Sequence, residues 1–291
     1  MTRELTVGVA GCGTMGTGIA IVAARAGFRT RLFDVSQDSV DRARAQMSQF
    51  FAKSVERGKL TQDEVERIEA NIEGSDRLSD FASCDLVIEA VFEDLAVKAD
   101  LFGQLNIICP ADTLFASNTS TLSITEIAGR SGRPDRFVGM HFCLPAQLMK
   151  LVEMSPGIAT SDASFAQAWR ICEEMGQRPV KTQDMPGFIL NYFLIPFNND
   201  AIRLVEDDVA EPAEIDKALK TALGYAMGPM ELLDLVGLDT QILLCEALFG
   251  ITGERRASCP PLLRRMVAAG LLGRKTGQGF LRYEHSRIFG A

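Results

Sequence analysis

No two cysteines form a Cys-x-x-Cys pair, and the seven present (Cys12, Cys84, Cys109, Cys143, Cys172, Cys245, Cys259) are odd in number and scattered. That excludes a disulfide framework and a zinc cluster and fits a reducing, cytoplasmic setting. No run of 18 apolar residues occurs, and glycines interrupt the apolar region from Val7 to Ala24. Neither a membrane span nor a secretory leader is expected, so the chain reads as mature and soluble. Basic residues are outnumbered, 30 against 38 acidic, and a formal charge of -8 repels a phosphate polymer, so nucleic acid is not an expected partner. Internal repeats and low-complexity tracts are also lacking. What is present is a chain of 291 residues, 47% hydrophobic and 23% charged, long enough for two domains with a core in each.

The first part alternates short apolar runs with helical patterns. Strands are expected over 5–10, 29–33, 86–91, 113–116, 137–142, 151–154 and 179–181. Helices are expected over 14–26 and, with a break at Gly58, over about 38–70. Such alternation predicts a mainly parallel sheet covered by helices on both faces. After Pro186 and Gly187 the strand signals nearly vanish. Helical spacing of apolar residues covers 188–205, 212–223, 231–249 and 261–269, while Arg264, Arg265, Arg274 and Lys275 read as a solvated surface. The fold class is therefore α/β, a Rossmann-type dinucleotide-binding domain at 1–185 followed by an all-α domain at 186–291.

Gly11, Gly13 and Gly16 form Gly-Cys-Gly-Thr-Met-Gly directly after a predicted strand and before a predicted helix. Glycines there let the turn close, let the backbone approach a pyrophosphate and let the helix lie close to the strand. Asp34 ends the second strand, where a carboxylate accepts from a ribose diol and repels a 2'-phosphate, which predicts NAD over NADP. The same turn also serves FAD, but no second nucleotide motif accompanies it.

Only His141 and His285 supply imidazoles. His141 ends the strand 137–142, at the carboxyl edge where a ligand crevice opens, whereas His285 lies in the C-terminal tail. Glu153 falls in the apolar run Leu151 to Met154 and needs a partner if buried; His141 is a candidate, and a surface position on an edge strand is the alternative. Ser117, Asn118, Thr119 and Ser120 follow another strand, as substrate-binding hydroxyls and amides, as caps for a helix starting near Ile124, or as both. Asn191 is an amide in the otherwise apolar stretch 188–196.

Several ordered motifs make the sequence resemble the 3-hydroxyacyl-CoA dehydrogenase family, in its short 3-hydroxybutyryl-CoA dehydrogenase branch. They are GCGTMGTGIA at 11–20, IEAVFED at 88–94, SNTS at 117–120, GMHF at 139–142, MKLVEM at 149–154, PGFILN at 186–191, GPMELLDLVGLD at 228–239 and GRKTGQGF at 273–280. The resemblance covers nearly the whole chain. It implies NAD bound by Gly11, Gly13, Thr14, Met15, Gly16, Asp34 and Asn118, with Glu93 and Lys98 near the nicotinamide half. It further implies a homodimer built by the helical domain and catalysis in the cleft between domains. There His141 is the general base, Glu153 its orienting carboxylate, Ser120 and Asn191 the holders of the substrate oxygens, and Lys53 a contact for CoA phosphates.

The chain departs from the family pattern at two places. Phe142-Cys143-Leu144-Pro145 stands where Phe-Phe-Asn-Pro is usual, and Tyr192 replaces an arginine after Asn191. These changes leave a second substrate open: a hydroxyacyl thioester, for example glyceryl, on an acidic acyl carrier protein, with Lys53, Arg57 and Lys59 as a docking patch. A non-catalytic NAD-binding protein is the third alternative.

Overall fold

The computed structural model describes residues 5–283, so His285 lies outside the described residues. The chain divides into two units, one on either side of the step from Met185 to Pro186.

The first unit is built on one eight-stranded sheet. Its strands are β1 (Thr6–Ala10), β2 (Arg29–Phe33), β3 (Ile72–Ser75), β4 (Leu86–Glu89), β5 (Leu114–Ser117), β6 (Phe137–Phe142), β7 (Leu151–Pro156) and β8 (Arg178–Lys181), in spatial order 3-2-1-4-5-6-7-8. All neighbours pair in parallel except β6 and β7. Between them run α1 (Thr14–Arg25), α2 (Gln37–Glu56), α3 (Gln62–Ala70), α4 (Leu95–Ile108), α5 (Ile124–Arg130) and α6 (Asp162–Glu174).

Strands β1, β4, β5 and β6 are buried along their whole length, as a sheet covered on both faces requires. Alternation along the strands splits the core. Val7, Val9, Leu114, Ala116, Met140 and Phe142 meet α1, α2 and α6, while Phe115 and Phe137 face Phe102 of α4 with ring centroids 5.2 and 4.7 Å away. The order reverses between β1 and β4, and the carboxyl ends of the strands open a crevice at that switch point.

The charged stretch 38–70 breaks at Gly58 as expected: Gly58 turns with φ +65° and α3 opens on a Thr61/Glu64 capping box. The strand β3, absent from the sequence reading, is a four-residue edge with no fully buried side chain, too short and polar to show a two-residue period.

The second unit is helical: α7 (Leu190–Glu206), α8 (Pro212–Leu223), α9 (Pro229–Val236), α10 (Leu238–Thr252) and α11 (Pro261–Ala268). The helix expected over 231–249 is two, because Gly237 at φ +104° ends α9 and starts α10. Ile202, Ile215, Met230, Leu233, Leu238 and Leu263 form its main core. Arg264 and Arg265 are exposed as expected, whereas the Arg274 guanidinium lies 5.1 Å from the centre of the Tyr283 ring and is only half exposed. No helix among the described residues is long and apolar enough to cross a membrane.

Candidate active site

Strand β1 runs into Gly11, whose φ of +110° and close approach to the Ala90 carbonyl leave no room for a Cβ. Gly16 sits equally close to the Gly11 carbonyl oxygen, so the helix packs directly on the turn. Gly13 is different: open space lies where its Cβ would be, and Gly13 and Thr14 are exposed. It is the N-cap of α1, which has no side-chain cap and no acidic residue in its first turn. Uncapped N–H groups and the positive end of the helix dipole therefore face that open space.

Asp34, just beyond β2, accepts from the Cys12 N–H at 2.9 Å and the Ser36 N–H at 3.3 Å. It is held beside the glycine turn with lone pairs left for a diol. Met15 packs half-buried on the core. These residues fit a bound dinucleotide: an uncovered backbone for the pyrophosphate and a fixed carboxylate for the ribose.

The antiparallel pair β6/β7 places His141 directly opposite Glu153. Opposed residues project from the same face of a sheet, so twelve residues of sequence separation become a direct contact. His141 Nδ1 lies 2.8 Å from Glu153 Oε2, and Glu153 is 1% exposed, which removes the surface alternative. A carboxylate only accepts, so it holds the proton of a neutral imidazole on Nδ1 and leaves the Nε2 lone pair available. Ser120 Oγ is 3.0 Å from Nε2. The sheet thus brings Ser120, His141 and Glu153 into one line.

The turn that carries Ser120 is tied to an ionic cluster in which Glu89 and Lys98 are buried and Glu93 reaches the surface. Lys98 Nζ lies 2.5 Å from Glu89 Oε1 and 3.2 Å from Glu93 Oε2. Glu89 also accepts from Ser117 Oγ at 2.6 Å and from the Val91 N–H at 2.8 Å. Glu93 Oε1 accepts from Thr119 Oγ1 (2.5 Å), the Ser120 N–H (2.8 Å), the Thr121 N–H (2.9 Å) and Thr121 Oγ1 (3.0 Å). Burial raises the Glu89 carboxyl above its ordinary value despite Lys98. Burial also pushes Glu93 up, but Lys98 and the donors of Thr119, Thr121 and Ser120 outweigh it and hold that carboxyl below the usual range.

Glu89 and Asp184 are members of this neighbourhood that the sequence reading passed over. Glu89 carries the same signal that singled out Glu153, a carboxylate on an apolar strand. Asp184 accepts from the N–H groups of Ile124 and Thr125, both at 2.7 Å, and from Ser123 Oγ, so Ser123 and Asp184 cap α5. The capping alternative for Ser117 to Ser120 thereby falls away.

Asn118 accepts from the Phe142 N–H at 2.8 Å. Lys53 is half-buried in the last turn of α2, and Arg57 and Lys59 are exposed beyond it. Cys143 is buried after β6, where burial and then the Glu153 charge raise its thiol to about 11. Asn191 and Tyr192 belong to the second unit, in the first turn of α7, Asn191 half-buried and Tyr192 exposed.

Comparison with known proteins matches residues 6–185 to the family model "3-hydroxyacyl-CoA dehydrogenase, NAD binding domain" and residues 187–283 to the corresponding C-terminal domain. A probable 3-hydroxybutyryl-CoA dehydrogenase of Bacillus subtilis is 42% identical over 276 residues, 95% of this chain and 96% of its own. The crystal structure of FadB2 from Mycobacterium tuberculosis is 37% identical with a TM-score of 0.94, covering 97% of this chain and all of that one. The (S)-3-hydroxybutyryl-CoA dehydrogenase PaaH1 of Ralstonia eutropha is 36% identical with a TM-score of 0.89 over the same shares.

Proposed function

The chain belongs to the 3-hydroxyacyl-CoA dehydrogenase family, and from that premise we propose that it interconverts (S)-3-hydroxybutyryl-CoA, or a close acyl homologue, and the 3-oxoacyl-CoA. The observation that carries this reading is the His141 imidazole, 2.8 Å from Glu153 on one nitrogen and 3.0 Å from Ser120 on the other.

In the oxidative direction His141 Nε2 takes the proton of the C3 hydroxyl as the C–H bond breaks and the C=O bond forms. NAD, when bound, supplies the acceptor for the hydride that leaves C3. Glu153 stabilises the imidazolium that results and keeps the ring from turning. In the reductive direction protonated His141 returns the proton to the carbonyl oxygen. Ser120 and Asn191 hold the substrate oxygens, and Lys53 pairs with CoA phosphates. Gly11, Gly13, Thr14, Met15, Gly16, Asp34 and Asn118 bind the cofactor, with Glu93 and Lys98 toward its nicotinamide half.

A homodimer assembled by the second unit accompanies this reading. It is supported by large apolar side chains left in solvent there: Phe193 (69% exposed), Leu243 (59%) and Ile251 (57%).

The test is NADH oxidation with acetoacetyl-CoA, run beside acyl-carrier-protein thioesters. Rapid turnover of acetoacetyl-CoA is the expected result. Negligible turnover on every CoA ester would overturn the CoA assignment. Turnover on a carrier-bound hydroxyacyl group, such as glyceryl, would favour the second reading, which Leu144, Tyr192 and the exposed Arg57 and Lys59 support.

A further inference from the structure

We propose that Asp184 is a positioning residue for Ser120: from the end of the first unit, its carboxylate fixes the turn that presents the hydroxyl to His141. The inference rests on Ser120 and His141 working as proposed above.

A helix start is ordinarily capped by its own neighbour, and Ser123 does this for α5 by taking the Glu126 N–H at 3.2 Å. Asp184, 60 residues beyond Ile124 in sequence, takes the two donors that Ser123 leaves open, the Ile124 and Thr125 N–H groups, both at 2.7 Å. It also accepts from the Ser123 hydroxyl at 2.9 Å. Hydrogen bonds to an ionised acceptor are stronger than those of a neutral cap. Asp184 is half-buried and is the last residue but one of the first unit, so the stretch by which the chain leaves that unit is fastened to the start of α5.

The interval from that tie to Ser120 is short. Ser120 lies three residues before Ser123, and the Leu122 N–H closes the turn on Thr119 Oγ1 at 3.0 Å. On its other side the start of α5 is seated on the strands of the dyad. Ile124, fully buried, packs so closely over Gly139 of β6 that a side chain at that glycine would collide with it. Gly139 and His141, two residues apart on β6, share one face of the strand. Thr125 Oγ1 accepts from the Ile158 N–H, just past β7, at 3.0 Å. The first turn of α5 therefore links Ser120 to the strand of His141, and the 3.0 Å between Oγ and Nε2 depends on where that turn sits. Without Asp184 the Ile124 and Thr125 N–H groups lose their partners, the helix start frays and the Ser120 turn shifts with it. Misplacement by about 1 Å is enough to cost on the order of 100-fold in rate.

A double-mutant cycle tests the assignment. Asp184→Ala and Asp184→Asn are made alone and with Ser120→Ala. For each, kcat for acetoacetyl-CoA reduction is measured at saturating NADH, well below the variant's melting temperature. Asp184→Ala is expected to lower kcat by about 10- to 100-fold. On top of Ser120→Ala its added cost should stay below about threefold, because the hydroxyl it positions is already gone. Asp184→Asn, which keeps one acceptor oxygen, should fall between Asp184→Ala and the wild type. A cap that served folding alone would lower the melting temperature and leave kcat within about twofold of the wild type. That result would overturn the proposal, as would equal losses with and without Ser120.

If Asp184→Ala does not melt cooperatively, Asp184→Asn carries the same cycle, because the amide fills the same space. If the wild type does not reduce acetoacetyl-CoA, the functional reading fails on its own, and hydrogen–deuterium exchange then decides the positioning role. Faster exchange in the Asp184 variant over 117–122 as well as over α5 upholds the hold on the turn. Faster exchange confined to α5, or no change in either, overturns it.

Discussion

His141 has one nitrogen committed to a buried carboxylate, and what that carboxylate does is a matter of tautomer. Glu153→Gln keeps the shape but offers an amide that donates to Nδ1 and drives the proton onto Nε2. A carboxylate-to-amide change in another protein's triad, where the same error arises, lowers kcat about 10⁴-fold. For Glu153→Gln we expect a fall of roughly 100-fold or more in kcat with NADH affinity unchanged; an equal loss in both would show a collapsed site instead.

Cys143, close by, is expected to be inert. With its thiol raised to about 11 by burial and by the Glu153 charge, the thiolate is scarce near neutrality. Alkylation by iodoacetamide, followed by mass spectrometry, should be far slower than for a free thiol at about pH 8 and should accelerate only as pH climbs towards that value. Rapid labelling at neutral pH would contradict it. The His141 and Glu153 pair was legible because both residues are chemically out of place on apolar strands. The ionic cluster under Ser120 was not, since Lys98 in a helix looks like any surface lysine until α4 packs it to 1% exposure.

At the scale of elements, the glycine turn separates space needed by the fold from space needed by the ligand. Gly16→Ala forces a Cβ against the Gly11 carbonyl, an overpacking that should cost about 1–3 kcal/mol and lower the melting temperature. Gly13→Ala meets nothing within 4 Å. It should melt like the wild type yet bind NADH more weakly, because the methyl group occupies the approach to the N-terminus of α1. Equal behaviour of the two variants would contradict this division.

Most elements were readable from the chain because periodicity and punctuation agree, as at the strand Phe137–Phe142 and the helix Pro212–Leu223. Where they were not, local backbone decided. Gly237 breaks an apolar run whose helical spacing continues on both sides, and β3 gains its strand character only by pairing with β2. The partnership of β6 and β7 was likewise hidden, because two adjacent apolar runs do not disclose register.

On the scale of the whole molecule, the second unit exposes Phe193, Leu243 and Ile251, side chains that the proposed dimer would cover. Light scattering should give twice the chain mass of 31.7 kDa, and Phe193→Glu should return the mass to a single chain. A wild-type monomer at working concentration would contradict the dimer. The central claim is that this chain, with both family domains and the His141 and Glu153 pair, is a working NAD-dependent dehydrogenase whose base is His141. The most direct measurement compares wild type and His141→Ala in NADH-dependent reduction of acetoacetyl-CoA. The account predicts brisk turnover by the wild type and a loss of roughly 100- to 10,000-fold in the variant with NADH still bound. Equal turnover by the two proteins would contradict it.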